Sequence, residues 1–356
     1  MIRAMEFEKI RTMHFPRDIF VGHNAIENIT GVIKKNLRTG SIAIVTGNNT
    51  FDIAGRKAED ILRDSKFEVF TLKTGEANME NLEKVNSFIR ETKAGIVVGI
   101  GGGTKIDLAK KSAFDFDIPL VSVPTSASHD GIASPRASIK GSGSVASVEA
   151  VMPVAIIADT SVMVKAPFRF LAAGAADVIS NITALLDWQL ANRLKGEEFS
   201  SSAAAISEYA SRELIEKAHM ILPGVEESVW LVTKQILASG TAMAIASSSR
   251  PASGSEHMFA HALELYGSGN SIHGEQVAMG SVVAMYLHGG EWKKLVKTYE
   301  KIGISLSAKT YGISRSIAIK SLMTAHSVRK ERYTILGESD LSYDAAERTL
   351  EIAGII

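Results

Sequence analysis

Residues 95–107 are Gly95-Ile-Val-Val-Gly-Ile-Gly-Gly-Gly-Thr-Lys-Ile-Asp107, and this segment joins a β-rich run to a glycine turn and then to a stretch with helical periodicity. The glycines Gly101–Gly103 let the backbone approach a ligand closely, and a helix beginning near Lys105 would offer free amides to an anion. Thr104 occupies the third position of the G-x-G-x-x-G fingerprint, and no Walker A lysine follows. The turn predicts either a phosphate cradle or a tight strand-to-helix connection.

Four more β-rich runs accompany this strand, and segments with helical periodicity separate the first four strands. Strands are predicted at Ser41–Thr46, Phe67–Leu72, Gly95–Ile100, Leu120–Val123 and Val154–Ala158, and helices at about Phe51–Asp64, Met79–Thr92 and Ile106–Phe114. Strands separated by single helices pair in parallel, and such sheets bind ligands outside the carboxyl ends of their strands. Arg136–Val148 departs from this pattern and predicts a hairpin that turns through Gly141–Gly143.

The pattern changes after Pro167, because apolar residues then recur only at helical spacing. Breaks between helices are expected at Pro223-Gly224, Arg250-Pro251, Gly267-Ser-Gly269 and Gly289-Gly290. We therefore predict a Rossmann-like α/β domain with a parallel sheet, residues 1–166, and after it an all-α domain, residues 167–356.

The composition narrows the class of protein. The 356 residues are 46% hydrophobic, which suits two folded domains, and 39 basic residues balance 39 acidic ones. A neutral chain does not favour nucleic acid as a partner, so an anionic substrate would need a local basic pocket. The absence of cysteine means that nitrogen and oxygen must bind any metal. No bilayer-spanning apolar run and no secretory signal in Met1–Glu6 are recognised, and we expect a cytoplasmic protein without membrane insertion.

Residues 253–275 hold three histidines at spacings typical of a metal site. Ser253 and Glu256 have the spacing of a capping box, which predicts that a helix begins here. His257 and His261 are four residues apart and share one face of that helix, and His273 follows the glycine break. Two imidazoles and one carboxylate are a common ligand set for catalytic zinc, although a lone buried histidine is more often a hydrogen-bonded core residue.

The carboxylate missing from this set has one main candidate. Asp177 follows the small residues 172–176 and is predicted to open an apolar helix. In isolation it would be an N-terminal cap or a first-turn carboxylate, and beside the histidines it could be the oxygen ligand. Met258 excludes the H-E-x-x-H motif of zinc proteases.

A polar loop, Pro124–Ser134, follows the strand that ends at Val123. Small hydroxyl residues at the carboxyl end of a strand suit a nucleotide pocket, but they are also common in ordinary loops. His129 and Asp130 are the unusual members, since their side chains would face the cleft toward the second domain.

Five motifs together resemble the archaeal sn-glycerol-1-phosphate dehydrogenases, a family of the superfamily that contains glycerol dehydrogenase, dehydroquinate synthase and iron-containing alcohol dehydrogenase. In chain order they are Gly-Gly-Gly-Thr-Lys-Ile-Asp107, Pro124-Thr-Ser-Ala-Ser-His-Asp-Gly131, Ala173-Gly-Ala-Ala-Asp177, Ser253-Gly-Ser-Glu-His257 and Ile272-His-Gly-Glu-Gln-Val-Ala278. The resemblance covers nearly the whole chain, and it implies a dehydroquinate synthase-like fold with the active site between the two domains.

The resemblance also implies roles for individual residues. Zinc would be bound by Asp177, His257 and His273, and the substrate would contact Asp130, Asp177 and His261. The implied NAD(P) site consists of Gly103, Thr104, Lys105, Ile106, Asp107, Thr125, Ser126, Ala127, Ser128 and Ser134.

The activity implied is the reversible, zinc-dependent reduction of dihydroxyacetone phosphate by NADH or NADPH to sn-glycerol 1-phosphate, the glycerol backbone of archaeal ether lipids. A glycerol or polyol dehydrogenase of the same superfamily would instead act on an uncharged substrate. A dehydroquinate synthase-like cyclase would recycle its NAD. A binding module without catalysis would leave the grouping of Asp177, His257 and His273 unexplained.

Two details of ligand binding are left open by the sequence. The first strand ends at Gly47, where a strict NAD enzyme usually offers a carboxylate, and the nearest acid is Asp52. We therefore expect both NADH and NADPH to be accepted. The substrate phosphate needs cationic partners, for which the helical half offers Arg250, Lys293, Lys320 and Arg329. The sequence does not separate these four cations, and it leaves a homo-oligomer open.

Overall fold

The structure, a computed structural model, describes residues 12–141 and 145–356. The segment Met1–Glu6 and the turn of the predicted hairpin beyond Gly141 lie outside the described residues. The strands are β1 (Asp18–Gly22), β2 (Ser41–Thr46), β3 (Val69–Lys73), β4 (Ala94–Gly101), β5 (Leu120–Pro124), β6 (Arg136–Lys140), β7 (Val145–Glu149) and β8 (Ala155–Asp159).

Six of these strands form one parallel sheet in the order β1-β8-β5-β4-β2-β3. Every residue of β2, β5 and β8 is buried, as expected for strands that are covered on both faces. β6 and β7 form the antiparallel hairpin that the sequence predicts, with Arg136 opposite Glu149. β1 is not among the predicted strands, and it pairs with β8 at the edge of the sheet.

The helices of the α/β half are α1 (Ile29–Asn36), α2 (Asn48–Thr50), a π-helical turn (Phe51–Gly55), α3 (Arg56–Asp64), α4 (Met79–Thr92), α5 (Gly103–Asp115) and α6 (Thr160–Met163), with 3₁₀ turns at Ala25–Asn28 and Asp130–Ala133. α1 and α3 contribute to one apolar core against the sheet, and α4 and α5 contribute to a second one. The predicted helices are confirmed, and α5 begins two residues before Lys105, at Gly103.

The strand order places the ligand crevice. The chain leaves β2 toward β3 on one side and leaves β4 toward β5 on the other, so the order reverses between β2 and β4. The loops that follow two such strands diverge to opposite faces and open a crevice between them. The glycine run at the end of β4 therefore lies at the switch point of the sheet.

The second half is helical. Its helices are α7 (Phe168–Lys195), α8 (Ser201–Glu216), α9 (Glu226–Ala246), α10 (Ser255–Tyr266), α11 (His273–Leu287), α12 (Trp292–Lys301), α13 (Arg315–Thr324) and α14 (Tyr343–Ile352), with 3₁₀ turns at Ala218–Met220, Arg250–Ala252, Ala308–Tyr311 and Ala325–Arg329. The largest apolar core joins these helices to sheet-side residues such as Ile106 and Ile156. The change of fold after Pro167 is confirmed, and the division at 166/167 into two domains stays a prediction.

Two of these helices, α7 and α9, have the length and apolar composition of a membrane-crossing helix. Within the most apolar windows of α7 and α9, 83% and 72% of the residues are buried inside the protein. Such burial is typical of core helices, whose apolar faces are covered by protein rather than by lipid.

Two local predictions near the site are wrong. α10 begins at Ser255 with Gly254 as its N-cap, and Ser253 is extended and caps nothing. The Glu256 carboxylate still accepts a hydrogen bond from the amide of the N-cap residue, which is Gly254 instead of Ser253. The structure therefore contains one of the two hydrogen bonds of a capping box, one residue later than predicted. Asp177 does not open a helix, because the small residues before it already belong to α7, and it lies buried in the interior of that helix.

Candidate metal and dinucleotide site

Three side chains converge from three different helices. The Oδ1 atom of Asp177, on α7, lies 3.4 Å from Nε2 of His257, on α10, and 3.9 Å from Nε2 of His273, the first residue of α11. One potential ligand atom from each residue lies within 4.8 Å of the others. The predicted Asp177–His257–His273 triad is therefore present as a spatial cluster.

Glycines on α11 allow these helices to approach closely. A Cβ on Gly274 would lie 2.0 Å from the carbonyl oxygen of Ala173 on α7, and a Cβ on Gly280 would lie 2.5 Å from that of Glu256 on α10. Only a residue without a side chain fits at such contacts. The backbone of α11 therefore packs directly on α7 and α10 and carries His273 to Asp177 and His257.

Two further carboxylates orient the imidazoles. Nδ1 of His257 lies 3.0 Å from Oε1 of Glu256, and Nδ1 of His273 lies 3.6 Å from Oε1 of Glu264. Both rings therefore direct Nδ1 to a carboxylate and Nε2 to Asp177. This arrangement fixes the tautomer in which Nε2 carries the lone pair, as in the carboxylate–histidine–metal sets of metalloenzymes.

The environment of Asp177 fits a cation. Its Oδ2 accepts a hydrogen bond of 3.0 Å from the amide of Asp130, whereas its buried Oδ1 has no hydrogen-bond partner among the described residues. Burial alone would raise the pKa of Asp177, but the imidazole of His257, whose Nε2 lies 3.4 Å from Oδ1, and the charge of His273 hold it well below its ordinary value. A carboxylate that stays ionised and lacks a partner at the centre of two imidazoles is a suitable metal ligand.

The pKa of His257 is shifted upward, opposite to that of Asp177. Burial would lower the pKa of His257, but the nearby carboxylates of Asp177 and Glu256 raise it to about 10. In the metal-free protein a proton on His257 thus provides the positive charge that these carboxylates require. The donor set of one carboxylate and two imidazoles suits zinc and leaves a coordination position open.

His261 lies beside the triad without facing Asp177. Its Nδ1 lies 3.1 Å from Oε2 of Glu264, so that Nε2 is left for the cavity, which the side chain lines. Burial lowers the pKa of His261 despite this carboxylate. Glu264 therefore contacts both His261 and His273 through different oxygens.

Asp130 also lines the cavity. Its Oδ2 accepts a hydrogen bond of 2.9 Å from the hydroxyl of Ser239, and burial together with the nearby Asp177 raises the pKa of Asp130 to about 7. Since its amide donates to Asp177, Asp130 is attached to the same cluster through its backbone.

One cavity of about 1030 Å³ connects this cluster to the crevice of the sheet. Seven of the residues predicted to bind the dinucleotide line it, namely Gly103, Thr104, Asp107, Thr125, Ser126, Ser128 and Ser134. Three do not: Ile106 and Ala127 are buried in the core, and the ammonium group of Lys105 donates to the carbonyl of Gly75. The volume suits a dinucleotide with a small substrate.

The glycine run and the polar loop meet in this cavity. The His129 ring lies against Gly103, where a Cβ would be 1.6 Å from its Nε2, and its Nδ1 accepts from the amide of Gly131 at 2.9 Å. The third glycine of the run is thus required by a close side-chain contact as well as by the turn.

A buried ion pair fastens the loop to α5. The ammonium group of Lys110 lies 2.9 Å from Oδ1 of Asp107 and donates to the carbonyls of Gly131 and Arg136. Oδ2 of Asp107 accepts a bond of 3.0 Å from the amide of Ser138. Both oxygens of the Asp107 carboxylate are therefore bound to other groups of the protein, although the residue also lines the cavity.

The four basic residues suggested for the substrate phosphate lie in different environments. The guanidinium of Arg250 is paired with Glu197. Lys293 and Lys320 lie over the rings of Trp292 and Tyr266, and neither lines the cavity. Arg329 does line the cavity.

Sequence reasoning missed the supporting residues Glu264 and Lys110, and it assigned Glu256 to a capping box without its contact to His257. Glu264 is three positions after His261, and Lys110 is three positions after Asp107, so each pair shares one face of a helix. That spacing was a usable signal. The contact between Glu264 and His273 was not predictable, because it depends on how α11 packs.

Other proteins resemble this chain in sequence over most of its length. A model of the iron-containing alcohol dehydrogenase family matches residues 20–167. The glycerol-1-phosphate dehydrogenase [NAD(P)+] of Picrophilus torridus is 61% identical over 352 residues, which is 99% of this chain and 100% of that protein. The one of Pyrococcus furiosus is 45% identical over 344 residues, which is 97% of this chain and 99% of that protein.

Solved structures share the fold. A probable glycerol dehydrogenase from Sinorhizobium meliloti 1021 aligns with a TM-score of 0.79 at 20% identity, over 97% of this chain and 98% of that chain. An iron-containing alcohol dehydrogenase from Thermococcus thioreducens aligns with a TM-score of 0.76 at 15% identity, over 96% and 99%. With full-length relatives at 45–61% identity, the chain belongs to the glycerol-1-phosphate dehydrogenase family of NAD(P)-linked oxidoreductases.

Proposed function

We propose that this protein catalyses the reversible reduction of dihydroxyacetone phosphate to sn-glycerol 1-phosphate with NADH or NADPH, and that zinc is its metal. The observation that carries the proposal is the unpartnered Oδ1 of Asp177, which two correctly oriented imidazoles face at the end of the cavity that begins at the glycine run. The family relatives are named for glycerol 1-phosphate, which supports this substrate.

Asp177, His257 and His273 would hold the metal. When bound, zinc would polarise the C2 oxygen of the substrate as a Lewis acid, and the nicotinamide would exchange a hydride with C2. Glu256 and Glu264 keep the two imidazoles in the tautomer that binds metal. The protein thus supplies a fixed donor set in a buried pocket, where electrostatic interactions are weakly screened.

His261 is placed to move the proton. Its Nδ1–H is directed to Glu264, so Nε2 can accept the proton of a substrate hydroxyl during oxidation and return it during reduction. Asp130, whose pKa is raised to about 7, can accept a hydrogen bond from another substrate hydroxyl. Its attachment to Asp177 and Ser239 fixes the carboxylate at the cavity wall.

The dinucleotide would extend from this cluster to the crevice between β2 and β4. Its pyrophosphate would lie at the N-terminus of α5, where the glycine run permits a close approach. At the far end Asp52 lines the cavity and pairs with Arg56 at 3.0 Å. An exposed Asp–Arg pair can offer the carboxylate to a ribose hydroxyl or the guanidinium to a 2′-phosphate, which supports the use of both cofactors.

The experiment that tests this function is incubation of purified protein with zinc, NADPH and dihydroxyacetone phosphate, followed by chiral analysis of the product. We expect stoichiometric oxidation of NADPH and the sn-1 enantiomer. The sn-3 enantiomer, or equal kcat/KM for dihydroxyacetone and its phosphate, would contradict the proposal. The kcat/KM ratio for NADH and NADPH should stay below about a hundredfold, which is 2.7 kcal/mol.

The product would supply the glycerol backbone of archaeal ether lipids, since the relatives come from archaea such as Picrophilus torridus. We place the reaction in the cytoplasm, where a reduced nicotinamide cofactor and a triose phosphate are both available. A homo-oligomer is a further proposal, which sedimentation equilibrium of the purified enzyme would test.

A further inference from the structure

Arginines cluster on the wall of the cavity next to the entry of α10. Arg329, the last residue of the 3₁₀ turn Ala325–Arg329, lines the cavity together with Ser249 and Ser253. Arg332 lies behind it and donates to the carbonyl of Ser253 and, at 2.9 Å, to the hydroxyl of Ser249. The two guanidinium groups therefore flank the segment that leads into the helix of His257.

The guanidinium group of Arg329 is not paired with a carboxylate of the protein. Arg250 takes the carboxylate of Glu197 in a bidentate pair. The side chain of Arg329 makes no hydrogen bond or ion pair with the described residues, and the nearby Glu331 offsets its charge only in part. Burial and the neighbouring Arg136 and Arg250 lower the pKa of Arg329, and burial with Arg329 and Arg250 lowers the pKa of Arg332 to about 9. A half-buried cation among other cations is stabilised when an anion binds.

The arginine wall and the metal cluster belong to the same cavity. Ser253, whose carbonyl Arg332 contacts, precedes His257 by four residues, and Ser253, His257 and Arg329 all line this cavity. In dihydroxyacetone phosphate three bonds separate the C2 carbon from the phosphorus. A substrate whose C2 oxygen faces Asp177, His257 and His273 can therefore reach this wall with its phosphate.

Other groups near this wall are less suitable. Two amides at the N-terminus of α10 are already occupied, since Gly254 donates to Glu256 and Ser255 donates to Asp187. The other cations lining the described cavity are Arg136, Lys140 and Lys165. Arg136 is engaged in an interaction of its own, Lys140 is paired with Glu76, and Lys165 is exposed to solvent. A guanidinium also suits a phosphate better than an ammonium does, because it donates two parallel hydrogen bonds.

Resting on the function proposed above, we propose that Arg329 binds the phosphate of the substrate and that Arg332 is a positioning residue that holds the Ser249–Ser253 segment beside it. The arginine pair would thereby select a phosphorylated triose over an uncharged polyol.

The test compares kcat/KM for dihydroxyacetone phosphate and for dihydroxyacetone in the zinc-loaded enzyme and in Arg329→Met. We expect the value for the phosphorylated substrate to fall by about 10- to 150-fold, the effect of losing a charge-assisted hydrogen bond. The value for dihydroxyacetone should stay within twofold, which a general structural defect would not allow. Arg329→Lys should recover part of the loss, and Lys293→Met, outside the cavity, should behave as the wild type.

Each remaining outcome decides between alternatives. If Arg329→Met keeps the full preference for the phosphorylated substrate while the wild type shows it, this inference is wrong and the proposed function stands. If the wild type itself shows no preference, the proposed function fails.

Two results would reassign the residues. A loss confined to Lys165→Met would assign the phosphate to that lysine. Weaker binding of NADPH but not of NADH to Arg329→Met, with the substrate preference kept, would assign Arg329 to the 2′-phosphate. Both results would overturn the inference.

Discussion

Replacing Glu264 by glutamine perturbs two histidines at once. Glu264 accepts from Nδ1 of His261 through Oε2 at 3.1 Å, and it faces Nδ1 of His273 through Oε1 at 3.6 Å. Glutamine has nearly the same shape but only one acceptor oxygen, and its amide group can only donate. One of the two imidazoles must therefore lose its acceptor or change its tautomer, and a changed tautomer places a proton on Nε2.

The size of the effect follows from the role of such carboxylates. Loss of a group that orients a metal-bound histidine reduces metal affinity or activity by about 10- to 100-fold, or roughly 1.4–2.7 kcal/mol. If glutamine keeps the bond to His261, zinc affinity should fall; if it keeps the bond to His273, kcat should fall and zinc should stay. Competition titration with a chelator and steady-state kinetics on the same preparation measure both quantities.

A matched control is available in Glu226, a half-buried carboxylate outside the cavity that lies 3.1 Å from Nδ1 of the exposed His23 and also accepts from the hydroxyl of Thr160. Glu226→Gln makes the same chemical change away from the cavity, and it should leave zinc affinity and kcat as in the wild type. The reasoning is refuted if Glu264→Gln binds zinc and turns over within twofold of the wild type, because neither histidine would then depend on this carboxylate.

Three further predictions concern folding and metal uptake. Lys110→Met should lower the free energy of unfolding by about 3–5 kcal/mol, because Asp107 would be left buried without its cation. The double variant Lys110→Met/Asp107→Leu should recover most of this loss. Denaturant titration of both variants measures the two changes. Gly274→Ala should cost at least about 1–3 kcal/mol and reduce zinc content, because the new Cβ would meet the carbonyl of Ala173; unchanged melting and zinc content would be inconsistent with the close packing of α11. Zinc affinity should rise with pH through the neutral range, roughly tenfold per pH unit for each proton released, because His257, whose pKa is raised to about 10, holds a proton there and must lose it to bind metal. A flat dependence in isothermal titration calorimetry would contradict this.

The parallel sheet was predictable because its strands are short apolar runs separated by single helices. The runs Ser41–Thr46 and Leu120–Val123 are buried on both faces of the sheet. Each is therefore apolar along its whole length, and it can be recognised without knowledge of which strands pair with it. β1, Asp18–Gly22, lies at the edge of the sheet and is partly exposed, so its sequence carries a weaker pattern. Its place in the sheet is determined by pairing with β8, which is distant in sequence.

The candidate metal ligands were predictable from the sequence, whereas the residues that orient them were less so. His257 and His261 share a helical face by spacing alone, and His273 and Asp177 were candidates from their places in the sequence. The family resemblance then selected Asp177, His257 and His273 as the ligand set. The position of Asp177 within α7 was missed, because a run of alanines and glycine resembles a loop in sequence although it packs as a helix against α11. The environment of Arg329 depends on segments brought together only by the tertiary fold.

The central claim is that Asp177, His257 and His273 bind a zinc ion and that His261 does not. His273 and His261 both contact Glu264, but only His273 also faces Asp177. The most direct measurement is therefore the zinc content of purified wild type, His273→Ala and His261→Ala by mass spectrometry, together with their activity. We expect bound zinc in the wild type and in a nearly inactive His261→Ala, and neither zinc nor activity in His273→Ala. Zinc retained in His273→Ala, or lost from His261→Ala, would contradict the assignment.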